Sequence, residues 1–296
     1  MTESSAGRAP RFSINLFAVP PAWYPRLIGA AEDAGFEAAW IAEHLVTPLE
    51  YEPLYPYDPV GRPSYSPETP LADPFVALAA AAAVTQRIGL GVGVYVLPLR
   101  PPMVTARAAL TVQEISGGRL LLGIGTGWLR EEFDAAGEDF DNRGARADEI
   151  LVMLAKLWTG KPVEHSGTHY RFRPVQLSPE PSVPIPLLGF GVSAPALRRS
   201  ARLDGWYGPP HLPLADAIAA RAILEAERKR AGTDGRPFTY HVRMAGEPTP
   251  ENVAPYVEGG FDHLVLTAAV RHAQSVEEAA TAIAALAEQV NSLSGS

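Results

Sequence analysis

Short apolar runs recur along the chain, and each is followed by a longer stretch with apolar positions at helical spacing. This is the pattern of strands buried on both faces with helices laid over them. Strands are predicted over residues 12–17, 38–42, 88–97, 120–124, 185–188, 204–206, 238–244 and 264–267. Helices are predicted over 23–34, 75–85, 104–115, 146–158, 194–203 and 214–230, from 249 onward, and over 276–290. Punctuation agrees with these bounds. Asp73 caps a helix with Pro74 at its first position, Thr249 with Pro250 opens another, and Gly35 and Gly117-Gly118 close two more. Eight strand–helix units in 296 residues predict a single (β/α)8 TIM barrel with insertion loops at its C-terminal face, one α/β domain over 1–296 with residues 1–11 as a flexible tail.

Three stretches interrupt the alternation. Residues 46–70 form a connection rich in Pro and Tyr, and such aromatics need something to pack on, which predicts an ordered lid over the barrel mouth. Residues 165–172 read as a β-hairpin turning at Ser166-Gly167, and residues 174–184 as a proline-rich loop. The hairpin accounts for His165 and His169 better than a metal site does, since a third histidine is lacking.

Composition narrows the class. With 47% hydrophobic and 20% charged residues the chain can bury a continuous core. A net charge of −8 argues against nucleic-acid or anionic-membrane binding, either of which needs a basic face. No cysteine is present, so disulfides, thiolate metal sites and cysteine nucleophiles are excluded together, which is compatible with a cytoplasmic protein. The longest apolar run, 75–84, is about half of what a membrane span requires. The alanine-rich helix 75–85 allows close packing, including across a subunit interface of a homodimer.

Candidate chemistry clusters at strand ends. Glu43 and His44 directly follow the strand 38–42, where barrel enzymes place catalytic groups, although a histidine that merely caps a strand is equally open on the residues alone. Gly123, Gly125 and Gly127 lie where the strand 120–124 meets the next helix. They suit either a tight turn or the approach of backbone N–H groups to a ring or phosphate. A dinucleotide fingerprint does not fit, because its third glycine falls on Trp128. Gly189-Phe190-Gly191-Val192 precedes a helix and could hold an anion. Arg143 and Arg146 could hold carboxylates of the segment 127–133 or simply solvate the start of the helix behind them, and the second reading is favoured. Phe17, Tyr95, Trp128 and Trp206 are candidates for the wall of an apolar pocket. A metal-dependent hydrolase would need His-x-His after the first strand, and residues 15–18 offer none.

The run Ser116-Gly-Gly-Arg119, Gly123-x-Gly125-x-Gly127-Trp128 and Glu131-Glu132-Phe133, followed by Arg143-Gly144-x-Arg146 and Leu157-Trp158-Thr-Gly160, resembles the bacterial luciferase-like flavin oxidoreductases. Within these it looks most like the actinobacterial branch assigned to the deazaflavin coenzyme F420. The resemblance implies hydride transfer between F420 and a small organic substrate, with His44 as general acid or base and Glu43 beside the cofactor ring. It further implies a β-bulge with a cis peptide at Gly93-Val94 against that ring, the cofactor side chain along Gly125, Thr126, Gly127 and Trp128, and its phosphate at Gly189, Phe190, Gly191 and Val192. Phe17, Tyr95 and Trp206 would face the substrate. It implies a homodimer too. Deazaflavin lacks the ring nitrogen that forms a stable oxygen adduct, so F420 would make the protein a reductase or dehydrogenase. Reduced FMN with O2 would make it a monooxygenase, and a ligand-binding barrel without catalysis is the third reading. Some family members carry glutamate where this chain has Trp128, so their alcohol and sugar-phosphate chemistry does not carry over directly.

Overall fold

The computed structural model describes residues 9–52, 54–58 and 61–293. Its central feature is a closed barrel of parallel strands: β1 (Arg11–Leu16), β2 (Ala38–Ile41), β3 (Gly89–Val96), β4 (Leu120–Gly125), β7 (Leu187–Phe190), β8 (Gly205–Tyr207), β9 (Thr239–Arg243) and β10 (His263–Thr267). The strands neighbour one another in chain order and β10 closes on β1, with Phe12 opposite Leu264. This is the (β/α)8 TIM barrel. The coating helices are α1 (Tyr24–Asp33), α2 (Pro74–Ala82), α3 (Pro102–Ser116), α4 (Arg130–Ala136), α5 (Arg143–Leu157), α6 (Ala194–Ser200), α7 (Leu214–Ala231), α8 (Pro250–Glu258) and α9 (Val276–Leu293). Of the expected tail 1–11, Arg11 already opens β1, and residues 1–8 lie outside the described residues.

Strand alternation sorts side chains into two layers. Ile14, Leu16, Ile41, Leu90, Val92, Leu122, Val242 and Leu264 point outward and build the large core under the helices. Inside the barrel a smaller cluster forms from Ala38, Trp40, Leu188, Tyr207 and Val265. Between Val92 and Tyr95 the β3–β4 register shifts by a bulge, and within it the Gly93–Val94 peptide is cis.

Local chemistry explains the element ends. The Asp73 carboxylate accepts from the Val76 N–H at 3.1 Å, and α3 stops at Gly117, whose φ of +65° suits glycine. Arg119, next in the chain after Gly118, donates to the Ser116 and Ile88 carbonyls at 2.7 and 2.9 Å and to the Ala82 and Thr85 carbonyls at 3.2 and 3.0 Å. It ties the ends of α2 and α3 to the start of β3. The Ser-Gly-Gly-Arg motif is therefore a fold joint at the N-terminal face of the barrel.

Two insertions stand out. Residues 42–73 join β2 to α2 across the C-terminal face, and residues 53, 59 and 60 of this connection lie outside the described residues. The hairpin β5 (Pro162–Ser166) and β6 (Arg171–Gln176) forms a separate two-stranded sheet beside α5. There Glu149 accepts from the His169 and Tyr170 N–H groups, both at 2.9 Å, and meets His165 Nε2 at 2.8 Å. Both histidines thus serve the turn, and no group of three metal-ligating side chains occurs among the described residues.

Candidate active site

His44 stands just beyond the C-terminal end of β2, held from two sides. Its Nδ1 lies 3.0 Å from Glu132 Oε2, and its Nε2 lies 2.8 Å from the Tyr65 hydroxyl. Glu132 is 1% exposed, and its second oxygen accepts the Leu45 N–H at 2.6 Å. Glu132 sits in the first turn of α4, a helix of seven residues that ends at Gly137 with φ +73°. Tyr65 comes from the 42–73 connection. Burial, reinforced by the Glu132 charge, pushes its phenol well above the ordinary tyrosine range, so it keeps its proton.

That connection closes the strand tips with aromatic rings. Tyr65 meets Phe17 edge-on at 6.0 Å and His44 at 4.8 Å. Tyr55 meets Trp128 at 5.0 Å, Tyr51 meets Trp128 at 6.3 Å, and Tyr57 meets Phe190 at 5.3 Å. One segment thereby spans the mouth from the tips of β1 and β2 to those of β4 and β7.

Glu43, expected beside a cofactor ring, is engaged by the scaffold at the strand tips. It is 4% exposed, accepts the Val96 N–H at 2.7 Å and pairs with Arg100. Burial pushes its carboxyl up, while Arg100 and the Val96 N–H draw it back. Burial works against the Arg100 charge too, but Glu43 together with Tyr95 and Asp73 outweighs it and holds the guanidinium protonated. Glu43 thus locks the β2 tip to the end of β3.

The glycines divide into two kinds. A Cβ on Gly125 would meet Val94 at 3.1 Å, a tight approach at the tip of β4, whereas one on Gly93 would overlap the Tyr207 ring at 2.7 Å, so that glycine makes way for the ring. Gly127, with φ +82°, presents its carbonyl to Arg143 Nε at 3.1 Å, and Thr126 and Trp128 flank it. Gly189 is required for packing instead, because a Cβ there would overlap Ser200 of α6. Gly191 accepts the Trp206 indole N–H at 3.0 Å, and Val192 is 38% exposed beyond it. The Ser193 hydroxyl caps α6, accepting from the Ala196 N–H at 3.4 Å.

Two expected wall residues face away from the mouth. Tyr95 lies in the outer core against Phe75, with its hydroxyl 3.2 Å from Thr105, because the bulge after Val92 turns it outward. Trp206 is fully buried in the same outer layer, and its neighbour Tyr207 points inward instead. Arg146 does not solvate a helix start: it is 7% exposed, pairs with Glu138 and donates to the Pro98 carbonyl at 3.0 Å. Asn15 and Tyr207 were not singled out by sequence reasoning. Both are fully buried, and their side-chain polar atoms have no protein partner. Glu132 was visible only as part of the Glu131-Glu132-Phe133 motif.

A cavity of about 620 Å³ opens at the opposite, N-terminal end of the barrel. Its charges are mostly spent on the scaffold. Arg11 and His263 both bind Glu37, at 3.0 and 2.8 Å, and Arg119 is the joint described above. His241 is pushed down to about 3 by burial and by the neighbouring His263, so it stays neutral. In a TIM barrel this face serves stability, and the tips at the other end carry the chemistry.

The chain matches the family model described as luciferase-like monooxygenase over residues 18–289, and it belongs to that family of oxidoreductases and monooxygenases. It is 35% identical over 245 residues to an uncharacterized Mycobacterium tuberculosis protein, covering 82% of this chain and 84% of that one. It is 33% identical over 180 residues to a Beutenbergia cavernae F420-dependent glucose-6-phosphate dehydrogenase, covering 60% of this chain and 49% of that one. Among solved structures, an F420-dependent secondary alcohol dehydrogenase in complex with an F420-acetone adduct superposes with a TM-score of 0.76. That match is 15% identical and covers 96% of this chain and 99% of the other. Among the described residues no helix is long and apolar enough to cross a membrane.

Proposed function

We propose that the chain is a cytoplasmic, homodimeric oxidoreductase that moves a hydride between coenzyme F420 and a small organic substrate, with His44 exchanging the accompanying proton. The observation that carries this reading is the imidazole held between a buried carboxylate and a lid hydroxyl at the strand tips. Imidazole exchanges a proton near neutral pH, and a general acid or base must first be within reach of its partner. The relative named for F420 dependence is what supports F420 as the coenzyme.

The residues present fit a planar ring with a polar edge. Gly125 leaves a backbone face without a Cβ at the tip of β4, and the Asn15 amide and Tyr207 hydroxyl, which have no hydrogen-bond partner, lie in the barrel interior. Gly93, Val94 and Gly125 would line the ring, Thr126, Gly127 and Trp128 would border its side chain, and Phe190, Gly191 and Val192 would receive the polar tail. When bound, the coenzyme supplies a ring carbon that gives or accepts a hydride. Phe17, Trp128 and the lid tyrosines exclude water and favour an apolar or planar substrate.

A second reading, an FMN-dependent monooxygenase using O2, is favoured by the description of the family as monooxygenases. Titration of the purified protein with F420 and with FMN, followed by cofactor fluorescence, separates the readings. F420 is expected to bind saturably and more tightly. Tight binding of FMN alone would move the protein to the monooxygenase reading, and binding of neither to a ligand-binding barrel. His44→Ala should keep F420 affinity and lower turnover about a hundredfold, measured as F420 bleaching with a panel of alcohols and as recovery of F420 absorbance when reduced F420 is mixed with ketones. Unchanged turnover removes His44 from the chemistry.

A further inference from the structure

We propose that Glu132 is the positioning residue that locks His44 as the Nδ1–H tautomer, leaving Nε2, beneath the lid hydroxyl of Tyr65, as the nitrogen that exchanges the proton. The inference rests on the reading of His44 as the proton-handling group of the site.

The assignment follows from counting donors. Glu132 presents two carboxylate oxygens, and the Leu45 N–H, a permanent donor, occupies Oε1 at 2.6 Å. The remaining oxygen, Oε2, is 3.0 Å from His44 Nδ1. A carboxylate only accepts, so Nδ1 must carry the hydrogen, and in the neutral ring Nε2 then holds the lone pair. Tyr65 stands 2.8 Å from Nε2 and keeps its phenol proton, so it donates to that lone pair. When the ring takes up a proton, Nε2 becomes a donor and the Tyr65 oxygen accepts, so the contact survives both states. The imidazole plane is therefore fixed from behind by α4 and met in front by the lid. With Nδ1 engaged by Glu132, Nε2 is the ring nitrogen left to exchange a proton, and the Tyr65 hydroxyl already meets it at 2.8 Å. The same carboxylate holds the Leu45 N–H, so it fixes the backbone after His44 as well as the ring.

Glu132→Gln provides a sharp test, because glutamine has nearly the same shape but only one accepting oxygen. The Leu45 N–H claims that oxygen, which turns the amide NH2 toward Nδ1. Nδ1 must then accept, and the ring switches to the Nε2–H tautomer. Long-range proton–nitrogen correlation spectra of histidine-labelled protein read the tautomer directly, with His44 assigned by its loss in His44→Gln. The spectra are recorded without cofactor. Expected are Nδ1–H in the wild type, Nε2–H in Glu132→Gln, and Nδ1–H retained in Tyr65→Phe. In the turnover assay Glu132→Gln should lose about a hundredfold in kcat with KM little changed, approaching His44→Ala. A wild-type His44 with Nε2–H, or a Glu132→Gln protein that keeps Nδ1–H, overturns the proposal. If Glu132→Gln does not fold, the wild-type spectrum alone decides. Failure of F420 to bind would sink the cofactor reading and leave the tautomer assignment untouched, since the spectra need no cofactor.

Discussion

Trp40 occupies barrel space that a strand glycine leaves free. It is fully buried, its ring lies 4.6 Å from that of Tyr207 and 5.1 Å from that of His241, and a Cβ on the neighbouring Gly91 would overlap it. The indole is boxed in on several sides, so Gly91→Ala forces a core shift costing about 1–3 kcal/mol. Thermal unfolding should show a midpoint several degrees lower, and an unchanged midpoint would mean that the interior yields more easily than this packing implies. The same parity explains what was legible at single positions. The place of His44 just past a strand tip was legible because the buried run of β2 stops shortly before it. Tyr95 and Trp206 were misplaced because facing inward or outward depends on one residue of register. The bulge at Gly93–Val94 resets that register for Tyr95, and Tyr207, next in the chain after Trp206, takes the inward position. Asn15 gave no signal, since one polar residue in an apolar strand reads as alternation.

Among the elements, α4 was the least legible and the most consequential. Seven residues give too short a run for periodicity to register, yet this helix delivers Glu132 to His44 across 88 positions of sequence. The hairpin β5–β6 could be read from its turn, but its anchor could not. Glu149 belongs to α5, and only the folded chain brings it to the His169 and Tyr170 N–H groups. Burial raises the Glu149 carboxyl, but the hydrogen bond from His165 and the two backbone N–H groups outweigh it, so its pKa lies below the ordinary carboxylate value. A depressed carboxyl contributes its stability above the unfolded-chain pKa and loses it as the pH falls through the folded value. Amide exchange protection at His169 and Tyr170 should therefore hold near neutrality and weaken on acidification below the ordinary carboxylate range. In Glu149→Gln protection should already be reduced at neutral pH and no longer follow this titration. A wild-type hairpin whose protection ignores pH in that window would show that the carboxylate is not what fastens the turn.

At the scale of the whole molecule, the barrel was legible because eight repeats of one alternation leave few other ways to bury every strand, and closure of β10 on β1 follows from the count. Its assembly with a second copy is a different matter, because an interface shows only as apolar surface that folding leaves uncovered. α2 and α3 pack side by side and carry such surface. Val76 is 70% exposed on α2 and Val84 60% exposed just past its end, with Ala80 and Ala83 exposed along the same stripe. Val104 and Ile115, 55% and 51% exposed, continue the surface on α3. Scattered single apolar side chains would need no explanation, but three valines and an isoleucine on or just past two adjacent helices, beside small alanines that permit close approach, mark the face by which we propose that two barrels associate. Sedimentation equilibrium should give twice the 31.7 kDa chain mass at micromolar concentration. The double substitution Val76→Glu with Val104→Glu places like charges across a two-fold contact and should shift the population to monomer. These positions lie on the outer faces of the coating helices, so the monomer should keep the His44–Glu132 pairing and its Nδ1–H signature. A wild-type protein that is monomeric throughout the concentration range, or a double variant that still dimerises, would remove this face from the assembly.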